Sequence, residues 1–197
     1  MKKIVFATNN RHKSEEVKAI LAEKAEIVCL ADIGCNDDIP ETGSTLEENA
    51  ILKARYIYEK YNIPCFADDT GLEIDALNGR PGVYSARYAG EPSNSAMNMQ
   101  KVQLEMEGIT NREAQFRTVI AYIENGDIQL FEGIVKGAIG VKPEGNGGFG
   151  YDPLFIPEGY DMSFASLSPE VKNTISHRAI AMGKFTAYFQ NASEKQS

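Results

Sequence analysis

At 197 residues the chain is long enough for one α/β domain with a substantial core, or a domain with a small lobe, and too short for a second full domain. Twenty Lys and Arg against 28 Asp and Glu give a net charge of −8, which excludes a non-specific grip on DNA or RNA, because such binding rests on neutralising phosphates. A compact anion such as a nucleotide is still compatible with this balance, since it needs only a local pocket of cations and amides.

The opening Met1-Lys2-Lys3-Ile4-Val5-Phe6-Ala7 is charged but gives way after a very short apolar run to Asn9, Asn10, Arg11 and Lys13. Neither an export segment nor a membrane span is expected from that pattern. Cys29, Cys35 and Cys65 are odd in number and lack metal-ligand spacing, so reduced thiols in a cytoplasmic protein are the expectation.

Lys3 to Thr8 is an apolar run, and Val17, Ile20 and Leu21 recur at helical spacing between Arg11 and Leu21. A strand feeding directly into a helix is predicted, with Thr8-Asn9-Asn10-Arg11-His12-Lys13 at the junction. Glu26 to Leu30 reads as a second strand and Ile33 to Gly43 as an acidic loop. Thr45-Leu46-Glu47-Glu48 has the capping-box pattern, and Ala50, Ala54, Ile57 and Tyr61 line one face of the helix it opens. Glu41 therefore sits in a loop just ahead of a helix start.

Pro64-Cys65-Phe66-Ala67-Asp68-Asp69-Thr70-Gly71-Leu72-Glu73 is the most chemically loaded stretch. It reads as a buried strand delivering carboxylates to its carboxyl end, where open α/β sheets place ligands. Adjacent aspartates repel, so their charge needs compensation, most simply by a divalent cation. A second reading makes Asp68 and Asp69 the opening of a turn that Thr70 and Gly71 complete. A further short strand is predicted through Leu72, Ile74, Ala76 and Leu77.

Ser95 to Met106 forms a helix on this reading, with Met99, Val102, Leu104 and Met106 as core. Phe116, Thr118, Ile120 and Tyr122 alternate with Val119, Ala121 and Ile123, and Asn125-Gly126 then predicts a hairpin. Ile134-Val135 suggests another strand piece, with Gly133, Gly137 and Gly140 marking bends or bulges. Glu144 to Pro153 packs glycines around Phe149, a loop able to approach a ligand closely and offer it a ring face, or else a tight connection with Phe149 in the core. Ser168-Pro169-Glu170 starts a helix, and Ser176-His177-Arg178 opens or continues one to about Phe189, with Ala179, Ile180, Phe185 and Phe189 as candidate buried positions.

The chemistry these segments support is polyanion binding. Thr8-Asn9-Asn10 to Lys13 offers amides at a helix start, a hydroxyl and one mobile ammonium, without the glycines or the Lys-Ser/Thr pair of a Walker A loop. Glu41 and Asp69 are hard oxygen donors of the kind that suit Mg²⁺ bridging to phosphates. His12 and His177, the two histidines, form no Ser-His-Asp or zinc pattern.

Six segments in register resemble one family. Thr8-Asn9-Asn10 with Lys13, Glu41-Thr42-Gly43 with Glu48-Asn49-Ala50, Ala67 to Leu72, Gly82 to Tyr88, Gly148 to Pro153, and Ser176-His177-Arg178 follow the order and spacing of the inosine triphosphate pyrophosphatases, more narrowly the bacterial dITP/XTP branch. The resemblance runs from Met1 to about Tyr188.

It implies hydrolysis of ITP, dITP and XTP to the monophosphate and pyrophosphate, clearing deaminated purines from the nucleotide pool. It also implies a single domain over residues 1–197: an elongated mixed α/β sheet flanked by helices, two lobes with a central cleft, usually a homodimer. On its terms Thr8, Asn9, Asn10, Arg11, His12 and Lys13 cradle the triphosphate. Glu41 and Asp69 hold Mg²⁺, and Asp69 accepts the proton of the attacking water. Thr70 touches substrate, and Phe149, Gly150, Tyr151, Asp152, Lys172, His177 and Arg178 surround the base and sugar. Asp68 has no fixed role on these terms.

Hypoxanthine and xanthine carry a 6-oxo group where adenine carries an amine, so donors from Lys172, His177 or Arg178 would separate the two. Guanine shares the 6-oxo group, so its rejection must involve its 2-amino group. Two rivals stand beside this reading: a Maf-type pyrophosphatase for pyrimidine or methylated nucleotides, and a nucleotide-binding module without hydrolysis.

Overall fold

The computed structural model describes residues 3–21 and 25–194, with side chains as far as Tyr188. The opening apolar run forms β1 (Lys3–Phe6), and the chain passes directly into α1 (Arg11–Leu21). β2 (Glu26–Cys29) follows, then a 3-10 turn at Leu30–Ile33 and α2 (Leu46–Tyr61). Next come β3 (Cys65–Ile74), α3 (Ser95–Glu105), β4 (Glu113–Glu124), β5 (Asp127–Ile139), β6 (Phe155–Pro157), α4 (Pro169–Ile175) and α5 (His177–Glu194). The strands form one sheet in the order β2-β1-β3-β4-β5-β6, with β1 parallel to β2 and β3, and β6 antiparallel to β5. This is the mixed α/β sheet expected.

The chain divides into two compact units. Met1–Asp69, Thr118–Gly133 and Arg178–Ser197 make the first; Thr70–Arg117 and Ile134–His177 make the second. In the first, Phe6 stacks on Phe66 with ring centroids 4.5 Å apart, and Phe66 meets Phe185 at 5.0 Å, with Ile4, Val17, Leu21 and Met182 around them. In the second, Phe116 packs on Phe155 at 4.7 Å, with Leu72, Ile74, Val102 and Leu154 in the same core. Each fully buried Phe, Leu or Ile stabilises by about 1.5–3 kcal/mol relative to exposure.

Several local predictions hold. Thr45 accepts from the Glu48 amide at the start of α2, and Ser168 caps α4 with Pro169 at its first turn. Asn125 and Gly126, both at positive φ, make the two-residue turn between β4 and β5. The capping box is only half formed, because the Glu48 carboxylate reaches back to the amide and hydroxyl of Ser44 rather than to Thr45.

Others are corrected. β3 does not end at the aspartates: Asp68 and Asp69 lie within one strand running on to Ile74, so neither a turn nor a separate strand at Leu72 is formed. Gly71 is not a turn glycine, since a Cβ there would stand 2.7 Å from the Gly82 carbonyl oxygen, and the residue is small because backbone crosses it. Gly137 serves the same end in β5, where a Cβ would stand 2.2 Å from the Ile156 carbonyl oxygen; the Ile134-Val135 piece belongs to one long strand without a break. Leu104 is 65% exposed and Ile180 36%, while Val102, Met106, Ala181, Met182 and Phe185 are buried apolar positions and Met99 packs partly buried against the core. The Phe189 side chain lies outside the described residues.

Gly71→Ala is expected to lower stability by about 1–3 kcal/mol, because the methyl group has only backbone to push against. Thermal unfolding checks this as a Tm lowered by roughly 2–12 °C.

Candidate functional site

Where β1 stops decides where the acids stand. Phe6 is the last residue of β1 and pairs with Phe66, so β3 runs on beyond its partner and carries Asp68 and Asp69 past the carboxyl edge of the parallel strands. Strand order 2-1-3 makes this the point where crossovers leave the sheet in opposite directions. Right-handed crossovers then put α1 and α2 on opposite faces.

Side chains alternate along a strand, and the two aspartates therefore answer to different helices. Asp68 shares its face with Phe66 and turns to α1 and α5: Lys13 Nζ lies 3.0 Å from its Oδ1, and Arg178 Nε and Nη2 lie 3.2 and 3.1 Å from its Oδ2. Arg178, with 1% of its side chain exposed, also donates to Glu16 of α1. Asp69 shares its face with Cys65, whose thiol donates to the Ala54 carbonyl of α2 at 3.1 Å. Asn49 Nδ2 donates to Asp69 Oδ2 at 3.2 Å, and Lys53 Nζ stands 3.7 Å from its Oδ1.

Lys53 also donates to Glu41 Oε1 at 2.6 Å, so one ammonium joins the two carboxylates expected to act together. Gly43 N–H donates to Asn49 Oδ1 at 2.7 Å, which fixes the loop carrying Glu41 against the start of α2.

These surroundings push the neighbouring acids apart. Burial raises the Asp69 carboxyl above its ordinary range, only partly offset by Lys53 and Lys13. Burial acts the same way on Asp68, but Lys13, Arg178 and Lys53 together outweigh it and hold that carboxyl below its ordinary range. Burial lowers Lys13, while Asp69, Glu41 and Asp68 more than reverse the same effect at Lys53 and raise it. The repulsion read from the sequence is thus relieved by side-chain cations on both faces.

At the head of α1, Asn10 caps the helix by accepting from Lys13 N–H at 3.2 Å, and Thr8 Oγ1 accepts from Asn10 N–H at 3.1 Å. Asn9 Nδ2 donates to the Asp37 carbonyl at 3.2 Å. Arg11 pairs with Glu15 on the surface, and His12 is exposed. The Lys13 amide is spent on this cap, and the dipole at the helix start disposes this end toward an anion.

Thr70, half-buried, follows Asp69 on β3. In the second unit, Asp152 accepts from Phe149 N–H at 2.8 Å and from Lys172 Nζ at 2.7 Å, and that ammonium stands 4.9 Å from the centre of the Phe149 ring. Gly148 has φ +66, and a Cβ there would stand 2.0 Å from Asp152 Oδ2, so the turn before Phe149 requires glycine. Phe149 and Gly150 are half-buried, in neither the core nor the open. Tyr151 donates to the Ser85 carbonyl at 2.7 Å, and His177 stacks on Phe116 at 4.6 Å.

The structure thus gathers Lys13, Glu41, Asp69 and Arg178 with Asp68 in the first unit, and Phe149, Asp152 and Lys172 in the second. Arg178, expected beside Lys172 and His177, spends its guanidinium on Asp68 and Glu16. Lys53, Asn49 and Glu16 were missed by sequence reasoning. Asn49 stood in a quoted motif, and Lys53 falls one helical turn after it, on the same face, which is the signal that could have found it.

An acidic pair framed by lysines and an arginine at a strand-to-helix switch point defines an α/β protein suited to a charged phosphate ligand. Residues 4–188 match the model of the Ham1 family, and the chain belongs to that family. It is 53% identical over 185 residues to the dITP/XTP pyrophosphatase of Porphyromonas gingivalis, covering 93% of this chain and 95% of that one. It is 54% identical over 180 residues to the protein of that name from Flavobacterium johnsoniae, covering 91% and 94%. Among solved structures, the Staphylococcus aureus Ham1 protein aligns with a TM-score of 0.88 at 40% identity, covering 97% of this chain and all of that one. A HAM1 protein from Coxiella burnetii aligns at 0.89 and 38%, with the same coverage. The resemblance read from six motifs is borne out.

Proposed function

We propose that this protein is a nucleoside triphosphate pyrophosphatase that hydrolyses ITP, dITP and XTP to the nucleoside monophosphate and pyrophosphate, removing deaminated purines from the nucleotide pool. The observation that carries the reading is the meeting of Lys13 and Lys53 with Asp68 and Asp69 just beyond the carboxyl end of β1. The names of the relatives point the same way.

Water attacks the α-phosphorus, the bond from that phosphorus to the bridging oxygen of the β-phosphate breaks, and pyrophosphate leaves. Asp69 takes the water's proton: its carboxylate is made more basic by burial and is held by Asn49. Lys13 and the first-turn amides of α1 bind the phosphate tail, with Thr8, Asn9, Asn10, Arg11 and His12 at the same turn.

Glu41 and Asp69 fit Mg²⁺ by their chemistry. Both are hard oxygen donors, and both already share a cation, the Lys53 ammonium. Among the described residues no cluster of three or more His, Cys, Asp or Glu could hold a metal by itself. Two carboxylates suit an ion that arrives with the triphosphate and keeps several waters. Bound there, Mg²⁺ would neutralise the charge that builds on the departing pyrophosphate.

Lys172, placed by Asp152 and lying over the Phe149 ring, donates to the 6-oxo group of hypoxanthine or xanthine and meets the adenine amine donor to donor. Lys172→Ala is expected to narrow the kcat/KM preference for ITP over ATP by about 10- to 100-fold, the worth of one buried polar mismatch. An unchanged ratio rejects the assignment.

Cytoplasmic placement is supported by three free thiols, and a homodimer by the family resemblance alone. No helix among the described residues is long and apolar enough to cross a membrane. The deciding experiment is pyrophosphate release from ITP and XTP against ATP, GTP, dTTP and UTP, with and without Mg²⁺. Release from ITP and XTP that needs Mg²⁺ is the expected result. Preference for dTTP or UTP would favour a Maf-type activity, and no release with tight nucleotide binding would favour a module that has lost hydrolysis.

A further inference from the structure

Between the 3-10 turn and α2, residues 35–43 have no strand or helix of their own. They run back along α2 as a strap. Lys53, Tyr56 and Lys60 recur at i, i+3 and i+7 and so share one stripe of the helix. The strap meets that stripe in reverse order. Asp37 Oδ2 accepts from Tyr56 OH at 2.8 Å and from Lys60 Nζ; Glu41 Oε1 accepts from Lys53 Nζ at 2.6 Å; Gly43 N–H donates to Asn49 at 2.7 Å.

Asp37 has two further bonds. The buried Cys35 thiol donates to its Oδ2 at 3.5 Å, and Asn9, in the turn between β1 and α1, donates to its carbonyl at 3.2 Å. One residue therefore ties together the phosphate-facing turn, the strap that carries Glu41, and α2. The partners of its carboxylate, Cys35, Tyr56 and Lys60, are not carboxylates and have no place in the substrate site, which separates its role from that of Glu41.

We propose that Asp37 is a positioning residue, a latch that holds the strap so that Glu41 and Asn9 stand ready for the triphosphate and its divalent cation. The inference rests on the pyrophosphatase reading. A strap released from α2 must be ordered again each time substrate binds, and that cost weakens apparent binding while leaving the bound arrangement unchanged. The Asp37 and Lys60 side chains are 35% and 44% exposed, so salt screens the latch.

The test compares wild type with Asp37→Ala, Asp37→Asn and Lys60→Met. Three quantities are read: kcat and KM for ITP over a range of KCl, the Mg²⁺ concentration giving half-maximal rate, and backbone hydrogen exchange. For Asp37→Ala, KM and the half-activating Mg²⁺ concentration rise about five- to tenfold with kcat within about twofold, as expected for loss of a three-partner exposed network. Amides of residues 35–43 exchange faster, while those of β1 and β3 do not change. Asp37→Asn, which keeps an acceptor for Tyr56, recovers part of the loss, and Lys60→Met reproduces part of it. In wild type, raising KCl increases KM more than it does in Asp37→Ala.

Unchanged KM with unchanged exchange overturns the latch. So does a fall in kcat at constant KM, which would put Asp37 in the chemical step. If wild type releases no pyrophosphate from ITP, the pyrophosphatase reading fails, and the exchange experiment still decides whether Asp37 holds the strap.

Discussion

Asp69→Asn is expected to lower kcat for ITP by about 10²- to 10⁴-fold while nucleotide binding weakens only a few-fold, the range lost when a positioned general base is removed. The substitution is nearly isosteric, and the oxygen of the new amide can still accept from Asn49, which now bonds Asp69 at 3.2 Å. What it removes is the carboxylate proposed to accept the proton. The choice of Asp69 over its neighbour rests on surroundings that push the two carboxyls apart, a pattern that assigns acid and base roles elsewhere. Burial makes Asp69 the more basic, while Lys13, Arg178 and Lys53 stabilise Asp68 as a carboxylate and leave it a poor acceptor. Single-turnover pyrophosphate release, with calorimetry on a non-hydrolysable triphosphate, checks both halves. Near-normal turnover would remove Asp69 as the base, and lost binding with normal kcat would make it a ligand alone.

The fold was legible where local chemistry decides it. β1, α1, the Thr45 and Ser168 caps and the Asn125-Gly126 turn follow from periodicity, capping and positive φ, all short-range. β3 was misread because Asp-Asp-Thr-Gly is turn chemistry on local grounds. Cations from α1, α2 and α5 let the strand run through it, and the Gly82 backbone explains why Gly71 must be glycine. No window of sequence contains those partners. The same reason hid Lys53, which as a lone helical lysine reads as surface and becomes informative only once Glu41 and Asp69 are seen around it. The first half of the site was therefore readable as residue types in order, while the pairing that gives each acid its role needed tertiary structure.

Arg178→Met is expected to cost about 3–5 kcal/mol of stability, the usual loss when one partner of a buried ion pair is removed and the other stays charged. Two of its bonds go to Asp68 and a third to Glu16, and 1% of the side chain is exposed, so solvent cannot replace it. For a chain of this length the loss is a Tm lowered by roughly 6–20 °C. The kinetic consequence separates two roles for this residue. If Arg178 read the base, as the family resemblance implies, the ITP-to-ATP ratio would narrow while stability changed little. If instead the guanidinium stays committed to Asp68, it would act on the phosphate end: without it, Lys13, 3.0 Å from Asp68, would be drawn more tightly to that carboxylate, away from the triphosphate. kcat/KM for ITP and ATP should then fall together, leaving their ratio within about twofold of wild type. A ratio that collapses in Arg178→Met at a temperature where the variant is folded would return the residue to base recognition.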